Sequence, residues 1–327
     1  MGKISNRLKN LFLEKMAEKI VNIVDIKSAK VQAEENLASM HSVEDLVEQV
    51  KDPSTAVYLN MQNLVAVLME GLLSLKPLAL FHKFMVKQED LYQPSYPPMS
   101  PITDSYFSLF TEFDAAFGDD KETIGSCIHD LSDLFQISGI QKTALQNLCD
   151  SRMGIYEIEN IASNKFASVR EYQSDKTVEV RFDLGFEGEV GDVVFVRLLP
   201  NLVGDGHHVA LTTPYQIVGY SEREWDQYFE RQGIEKNSPE FELKYYEHMK
   251  YGKDKNYWSE YIFWAYMQHR PDVVFLTGLP DKKSTQPCHD LFAEQERIES
   301  SLHLIQHRLL NHQNLPKKSI SGLSSFR

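Results

Sequence analysis

Cysteine is scarce in this chain, and so are the short motifs that mark a particular chemistry. Three cysteines in 327 residues, Cys127, Cys149 and Cys288, lie far apart and outside any CxxC spacing. This argues against a disulfide framework and favours a reducing compartment, so we expect a cytoplasmic protein. The sequence also lacks a GxSxG elbow, a Walker A loop and an HExxH pair. We therefore expect no cofactor, and whether the chain is an enzyme stays open.

Positive charge and long apolar runs are also in short supply. The 34 Lys and Arg residues face 47 Asp and Glu residues, which leaves a net charge of −13. Non-specific affinity for nucleic acid comes from cations that displace counterions, so we do not expect a nucleic-acid partner. The most apolar segment, residues 57–81, is interrupted by Asn60, Glu70 and Lys76. A membrane span needs about 20 predominantly apolar residues. We interpret the segment as a buried core helix and expect no transmembrane segment.

The hydrophobic rhythm changes twice and predicts an α+β fold, mostly helical, with a small antiparallel β barrel or meander in the middle. Helical spacing predicts a helical domain over residues 1–152. Short segments rich in β-branched and aromatic residues fill 153–220, with too little chain between them for crossover helices. Residues 221–310 predict an aromatic-rich helical region with one strand near 272–277, and the polar tail 311–327 is predicted to be disordered. The strands predicted in the middle region are 155–158, 166–172, 177–182, 193–199, 209–212 and 216–218.

Two segments are candidates for contact with a partner. Residues 3–30 place apolar side chains on one helix face and hold seven Lys or Arg against three acids. Such a basic amphipathic helix is typical of docking on a membrane surface or a partner, and an ordinary packed helix is the alternative. Thirteen aromatic residues crowd 225–266. They predict a helix-helix core whose edge forms a protein interface, and the acidic composition disfavours a stacking platform for bases.

A candidate ligand site lies in the β region. Arg197 interrupts an apolar strand, and alternation along that strand predicts that it lies on the more exposed face. There, near His208 and Tyr215, it would hold a carboxylate or phosphate in a bidentate manner, with His207 in the same glycine-rich turn. If Arg197 faced the core instead, it would need a carboxylate partner. The first reading predicts a small-anion sensor at Arg197, His207, His208 and Tyr215.

A candidate metal site lies near the C-terminus. Glu299, His303 and His307 are spaced by four residues, which places all three on one face of a predicted helix. Carboxylate and imidazole are common zinc ligands. This pattern supports a metal-dependent hydrolase as an alternative function.

Three stretches of the β region carry a family resemblance. They are Met153–Ile158 (MGIYEI), Gly191–Pro200 (GDVVFVRLLP) and Leu211–Tyr215 (LTTPY). Together they resemble the small β segment of uncharacterised bacterial proteins that often carry a C-terminal SEC-C metal motif. The resemblance implies a fold element of a bacterial cytoplasmic protein, with no activity attached. The cysteine cluster of the SEC-C motif is missing here, so no metal ligand is carried over.

These observations favour a non-catalytic binding or adaptor protein whose partner is another protein. Its contact surface would be the aromatic helices or the basic segment 3–30, and peripheral membrane contact by that segment stays open. The metal-dependent hydrolase and the small-anion sensor are the alternatives.

Overall fold

Six helices precede the sheet in the part of the chain that the computed structural model describes. That part comprises residues 1–17, 42–92, 106–183, 188–204, 206–219, 221–267 and 275–282. All of it belongs to one compact unit, Met1–Lys283. The helices are α1 (Lys3–Ala17), α2 (Val43–Val50), α3 (Pro53–Leu73), α4 (Ala79–Tyr92), α5 (Ile124–Asp130) and α6 (Gly139–Asp150). A helical turn over residues 106–109 continues into a π-helical turn, Phe110–Asp114.

Local sequence accounts for where several helices begin. The hydroxyl of Ser42 and the carboxylate of Asp45 form a capping box before α2. Asp52 caps α3 through the amide N–H of Thr55, and Pro53 occupies the first position of that helix. A proline is tolerated there because the first helical N–H has no partner within the helix.

Seven strands form the sheet that follows. They are β1 (Met153–Ser163), β2 (Phe166–Glu171), β3 (Thr177–Arg181), β4 (Val193–Leu199), β5 (His208–Ala210), β6 (Tyr215–Val218) and β7 (Phe275–Thr277). The order is β1-β2-β3-β5-β4-β6-β7, and an additional pairing of β1 with β4 closes the first five strands into a barrel. Register shifts beyond Ile158 and Ile161 bend β1, which lets it pair with both β2 and β4.

The α+β fold is confirmed, and the β region forms a barrel, but the expectation that every strand pair is antiparallel is wrong. β3 runs parallel to β5, and β6 runs parallel to β7. A closed ring with an odd number of strands cannot alternate in direction throughout, so one pair in the five-stranded barrel must be parallel. The β6–β7 pair can be parallel because three helices separate these strands in the chain and provide the crossover.

The barrel interior is apolar, and the outer face of β4 is also covered. Interior side chains come from four of the barrel strands and include Ile158, Val169, Val180, Val194 and Val196. On the opposite face of β4, the ring of Phe195 packs 5.2 Å from that of Trp258 and 6.0 Å from that of Tyr261, centroid to centroid. Consequently β4 is buried on both faces, as a strand between a barrel interior and a helical layer must be.

The aromatic-rich region supplies that helical layer. Its helices are α7 (Glu222–Arg231), α8 (Phe241–Tyr251) and α9 (Tyr257–Met267). Many of its rings are buried almost completely, among them Trp225, Tyr228, Phe229, Tyr245, Trp258 and Tyr261. These rings form a core, so they offer no stacking platform to a ligand in solvent.

Helix α3 joins the N-terminal helices to the barrel. Tyr58 is fully buried, and its hydroxyl donates a hydrogen bond of 2.7 Å to the carbonyl of Pro200. The hydroxyl of Ser54 donates to the side-chain oxygen of Asn201 at 3.0 Å. By length and mean hydropathy alone α3 would also suffice to cross a membrane, and 39% of its most apolar stretch is buried in the protein.

Helix α1 docks on its own domain. The carboxylate of Glu122 accepts hydrogen bonds from the amides of Ile4 and Ser5, at 2.9 and 2.8 Å, and so caps the positive end of the helix. Gly2 lies against the same carboxylate, where a Cβ atom would come within 2.2 Å of it. Leu8 is fully buried. Residues 18–30 lie outside the described part of the chain, so the proposed membrane or partner contact of segment 3–30 stays a prediction.

The packing of α1 predicts unequal effects for two leucines on this helix. Leu8→Ala should lower the free energy of unfolding by about 2–5 kcal/mol, because it leaves a cavity under a docked helix. Leu13, which is 47% exposed, is the matched control, and Leu13→Ala should change the value by less than about 0.5 kcal/mol. Urea unfolding measures both. Equally small losses would show that α1 does not dock as described.

Candidate functional site

Arg197 is fully buried, so its predicted placement on an exposed face is wrong. The reason is that helices, and not water, cover the outer face of β4. The guanidinium pairs through Nη2 with the carboxylate of Asp114, and Nη1 donates to Oγ of Ser151 at 2.8 Å. A buried arginine requires such a carboxylate partner, which was the alternative that the sequence offered for this residue.

The π-helical turn delivers this partner. The amide of Ala115 donates to the carbonyl of Phe110, five residues back, at 2.8 Å. The wide turn places Glu112 and Asp114 in the interior, where each is nearly fully buried. Burial raises the pKa of Glu112 well above its ordinary value, although the charge of Arg197 acts in the opposite direction. Asp114 is the carboxylate that pairs with the guanidinium and is the counter-ion of Arg197.

Lys250 brings a second cation to Asp114. Its Nζ lies 3.3 Å from Oδ1 of Asp114. The two groups form an ion pair, but their geometry is not that of a hydrogen bond. The ammonium group also donates to the carbonyls of Cys149 and Ser151, at 2.6 and 2.7 Å. These carbonyls lie at the C-terminal, negative end of α6. Burial lowers the pKa of Lys250, and Asp114 opposes that shift. We refer to Arg197, Asp114 and Lys250 as the buried ion cluster.

The other residues of the predicted anion site lie elsewhere. Tyr215 is fully buried in β6, opposite Phe195. His208 is half-buried in β5, and burial, followed by the charge of His207, lowers its pKa. The Nε2 atom of His207 lies 3.6 Å from Oδ1 of Asp52, at the start of α3. Because Arg197 and Tyr215 are both fully buried, they present no surface to an anion in solvent.

His207 belongs instead to a polar cluster that joins α3 to the barrel. The side chain of Asp52 accepts from the amide and the hydroxyl of Thr55, at 2.7 and 2.8 Å. Arg181, at the end of β3, pairs with Asp183 at 2.6 Å and donates to the carbonyl of Val50 at 3.0 Å. These bonds fix the loop between α2 and α3 against the barrel end.

The predicted metal site cannot be compared with the structure, because Glu299, His303 and His307 lie outside the described residues and stay a prediction. Within the part of the chain that is described, no group of three His, Cys, Asp or Glu side chains is arranged to hold a metal ion.

A buried histidine lies among tyrosines in the aromatic layer. The hydroxyl of Tyr228 lies 2.7 Å from Nε2 of His248 and 2.7 Å from the hydroxyl of Tyr257. Burial, and then the charge of Lys253, lowers the pKa of His248 to about 4. The imidazole is therefore neutral at pH 7. No pattern in the sequence pointed to His248, because its partners come from other helices.

The outer face of β2 carries an arginine that is surrounded by carboxylates. This residue, Arg170, pairs with Glu157 at 2.6 Å and with both Asp175 and Glu222 at 3.1 Å. With Glu159 at 3.5 Å as well, Arg170 pairs with four acids, so its charge is already neutralised by the protein.

An apolar and basic surface lies on α4. The inner face of the helix packs through Phe81 and Met85, whereas Leu80 on the outer side is 83% exposed. Near Leu80 at helical spacing lie the exposed Lys83 and Lys87 and the half-buried Phe84. The exposed Lys76 comes from a 3-10 turn, Lys76–Leu78, just before the helix, and Nζ of Lys255 lies 5.0 Å from the Phe84 ring centroid. We call these six residues the Leu80 surface.

The buried ion cluster predicts a large loss of stability when its central cation is removed. Arg197→Met should lower the free energy of unfolding by about 3–5 kcal/mol, because Asp114 stays buried with a weaker partner. Arg231 is the matched control, since it makes a bidentate pair with Asp281 at 2.8 and 3.1 Å on the surface. Arg231→Met should cost at most about 1 kcal/mol. Denaturant titration gives both values, and similar costs would contradict a structural role for the cluster.

The pKa of His248 predicts acid sensitivity. In the unfolded chain His248 binds a proton below about pH 6.5, whereas in the folded chain it binds one only below about pH 4. Stability that is present above pH 6.5 is therefore lost as the pH falls toward 4, by about 3 kcal/mol for this group. His248→Gln should remove that part of the pH dependence in unfolding experiments between pH 7 and 4.5. His82→Gln, on the exposed side of α4, should keep the wild-type profile.

Comparison with known proteins found no relative of this chain. No protein-family model, no curated protein and no solved structure matches the chain. The resemblance to the β segment of SEC-C-associated bacterial proteins therefore stays a prediction.

Proposed function

We propose that this chain is a non-catalytic binding or adaptor protein, and that its Leu80 surface docks an acidic, apolar segment of another protein. The observation that carries the proposal is the 83% exposure of Leu80 among lysines, in a chain whose net charge is −13. Leu80 and the half-buried Phe84 lie beside four lysines there, so the surface offers an apolar anchor with a basic rim to a partner of complementary charge.

The described parts of the two surfaces that the sequence suggested make contacts within the protein. The aromatic side chains of α7, α8 and α9 that are named above are buried, and α1 packs on its own domain through Leu8. The outer side of α4 is different. The inner face of this helix packs into the protein through Phe81 and Met85, and the outer face, with Leu80, is exposed to solvent. This comparison favours α4 as the contact helix.

Charge complementarity identifies the partner's chemistry. Within the described residues, no carboxylate forms an ion pair with Lys76, Lys83, Lys87 or Lys255, whereas Lys121 pairs with Glu247 at 3.4 Å. Unpaired cations that surround an apolar residue favour a partner with carboxylates around an apolar anchor. A membrane is less suitable, because surface binding to lipid needs a broad apolar helix face, and Leu80 is the one strongly exposed apolar residue among the six.

The proposal predicts which peptides the full chain selects from a random displayed library. Recovered sequences should be enriched in Asp and Glu around a large apolar residue. Leu80→Ala should weaken their binding about tenfold or more, as expected for a central anchor. The double variant Lys83→Ala, Lys87→Ala should weaken binding and reduce its salt dependence, because screened charge attraction is removed.

Matched controls lie on α8. Leu243 is 61% exposed and Lys244 is exposed, so Leu243→Ala and Lys244→Ala make the same changes on another helix. These controls should bind the selected peptides as the native chain does. Peptides without acidic enrichment, or binding that is insensitive to Leu80→Ala, would refute the proposal. Leu80-dependent binding to phosphatidylserine vesicles without any peptide selection would refute it in favour of a membrane surface.

A further inference from the structure

A cleft of about 210 Å³ opens between α5, the end of α6 and the end of α8. It lies on helices other than α4, so it is independent of the Leu80 surface. At about 30 Å³ per water molecule, its volume corresponds to roughly seven waters. Pockets for drug-sized ligands usually measure about 300–1,000 Å³. The cleft therefore suits a molecule of about one small ring.

Two lysines and two aspartates line the cleft, so their formal charges cancel, and each of them already contacts protein groups. Lys121 pairs with Glu247 at 3.4 Å, and the ammonium of Lys250 is held in the buried ion cluster. Asp130 accepts a hydrogen bond of 3.3 Å from the amide of Gly2, next to the positive end of α1. Asp150 accepts from the side-chain amide of Gln146 at 2.7 Å.

This balance disfavours a charged ligand of either sign. An anion would meet the carboxylates of Asp130 and Asp150, and an ammonium ion would meet Lys121 and Lys250. A charged ligand of either sign would face two like charges as well as two opposite ones, so neither sign is favoured. The remaining possibility is a neutral molecule that binds through hydrogen bonds.

Several groups in the cleft have hydrogen-bonding capacity to spare. The hydroxyls of Tyr246 and Tyr251 and the imidazole of His129 line it and have no hydrogen-bond partner among the described residues. Burial raises the pKa of Tyr251 to about 12, so its hydroxyl keeps its proton and is a donor as well as an acceptor. The two tyrosine rings flank the end of Lys250, at 6.0 and 5.9 Å from Nζ, and add apolar surface.

We propose that this cleft binds a small neutral polyhydroxy compound, of the size of a single sugar ring. Hydroxyl groups donate and accept, so they match the tyrosine hydroxyls, the imidazole and the carboxylate oxygens of Asp150. The C–H groups of such a ring match the aromatic faces. A free sugar and the terminal residue of a glycan share this chemistry.

Ligand-observed NMR on the full chain tests the proposal. The probes are D-glucose, D-galactose, D-mannose and myo-inositol, with the methyl glycosides of the three sugars. At least one probe should show saturation transfer, with a Kd on the order of 1 mM, as expected for so small a ligand. Tyr246→Phe and Tyr251→Phe should each weaken it about fivefold, the usual effect of one lost hydrogen bond. A glycoside that binds as well as its free sugar indicates a glycan end, and loss of binding on methylation indicates the free sugar.

A charge-matched control lies outside the cleft. Asp133, whose side chain is almost fully exposed, is changed to Asn for comparison with Asp150→Asn. Asp133→Asn should bind the probe as the native chain does, whereas Asp150→Asn should weaken binding. Urea unfolding of each variant shows that the fold is kept. The proposal is overturned if no neutral probe binds, if both tyrosine variants bind normally, or if phosphate or ethylamine competes better than every sugar.

Discussion

The ion pair between Arg197 and Asp114, with Lys250 on the same carboxylate, is the contact on which the architecture depends. Its members come from a barrel strand, from the π-helical turn of the N-terminal helices and from α8. Buried charges are expensive unless each has a partner and further hydrogen bonds. The carbonyls at the end of α6 supply those bonds to both cations. The desolvation cost is offset only when all three layers are in place, which favours folding as one cooperative unit.

The central position of β4 explains why this contact lies where it does. The strand pairs with β1 on one edge and with β5 and β6 on the other, so no edge is left open. One face looks into the barrel and the other supports Trp258 and Tyr261. A polar side chain on such a strand has no route to water. Arg197 must therefore be satisfied by the protein itself.

Because most of the aromatic side chains named above are buried, other residues form the surfaces that a partner or ligand could contact. The buried rings of α7, α8 and α9 fill the layer over β4, and His248 is held neutral among them. The apolar side chain that is most exposed among the described residues, Leu80, then stands out against an acidic surface. The cleft beside Lys250 differs in kind, because its charges are balanced and its free groups are hydroxyls and an imidazole. Both surfaces are formed by side chains that the core leaves exposed or half-buried.

Sequence reasoning located the strands because their determinants are local. Each of the six strands from β1 to β6 overlaps a predicted one. The closed ring itself was one of two predicted possibilities, since a barrel and a meander share the same alternation. The parallel pairs were missed because strand direction in a ring depends on the number of strands and on connections, and not on any one segment.

By itself, the sequence determined which segments are helical or extended, and hence the α+β class, because propensity and period act over a few neighbouring residues. Only the tertiary structure decided the environment of Arg197. Alternation distinguishes the two faces of a strand, but it does not say whether water or a helix covers each one. Its partner Asp114 lies 83 positions earlier in the chain. A contact over that separation exists only when the barrel and its helices have packed, since no local preference encodes it.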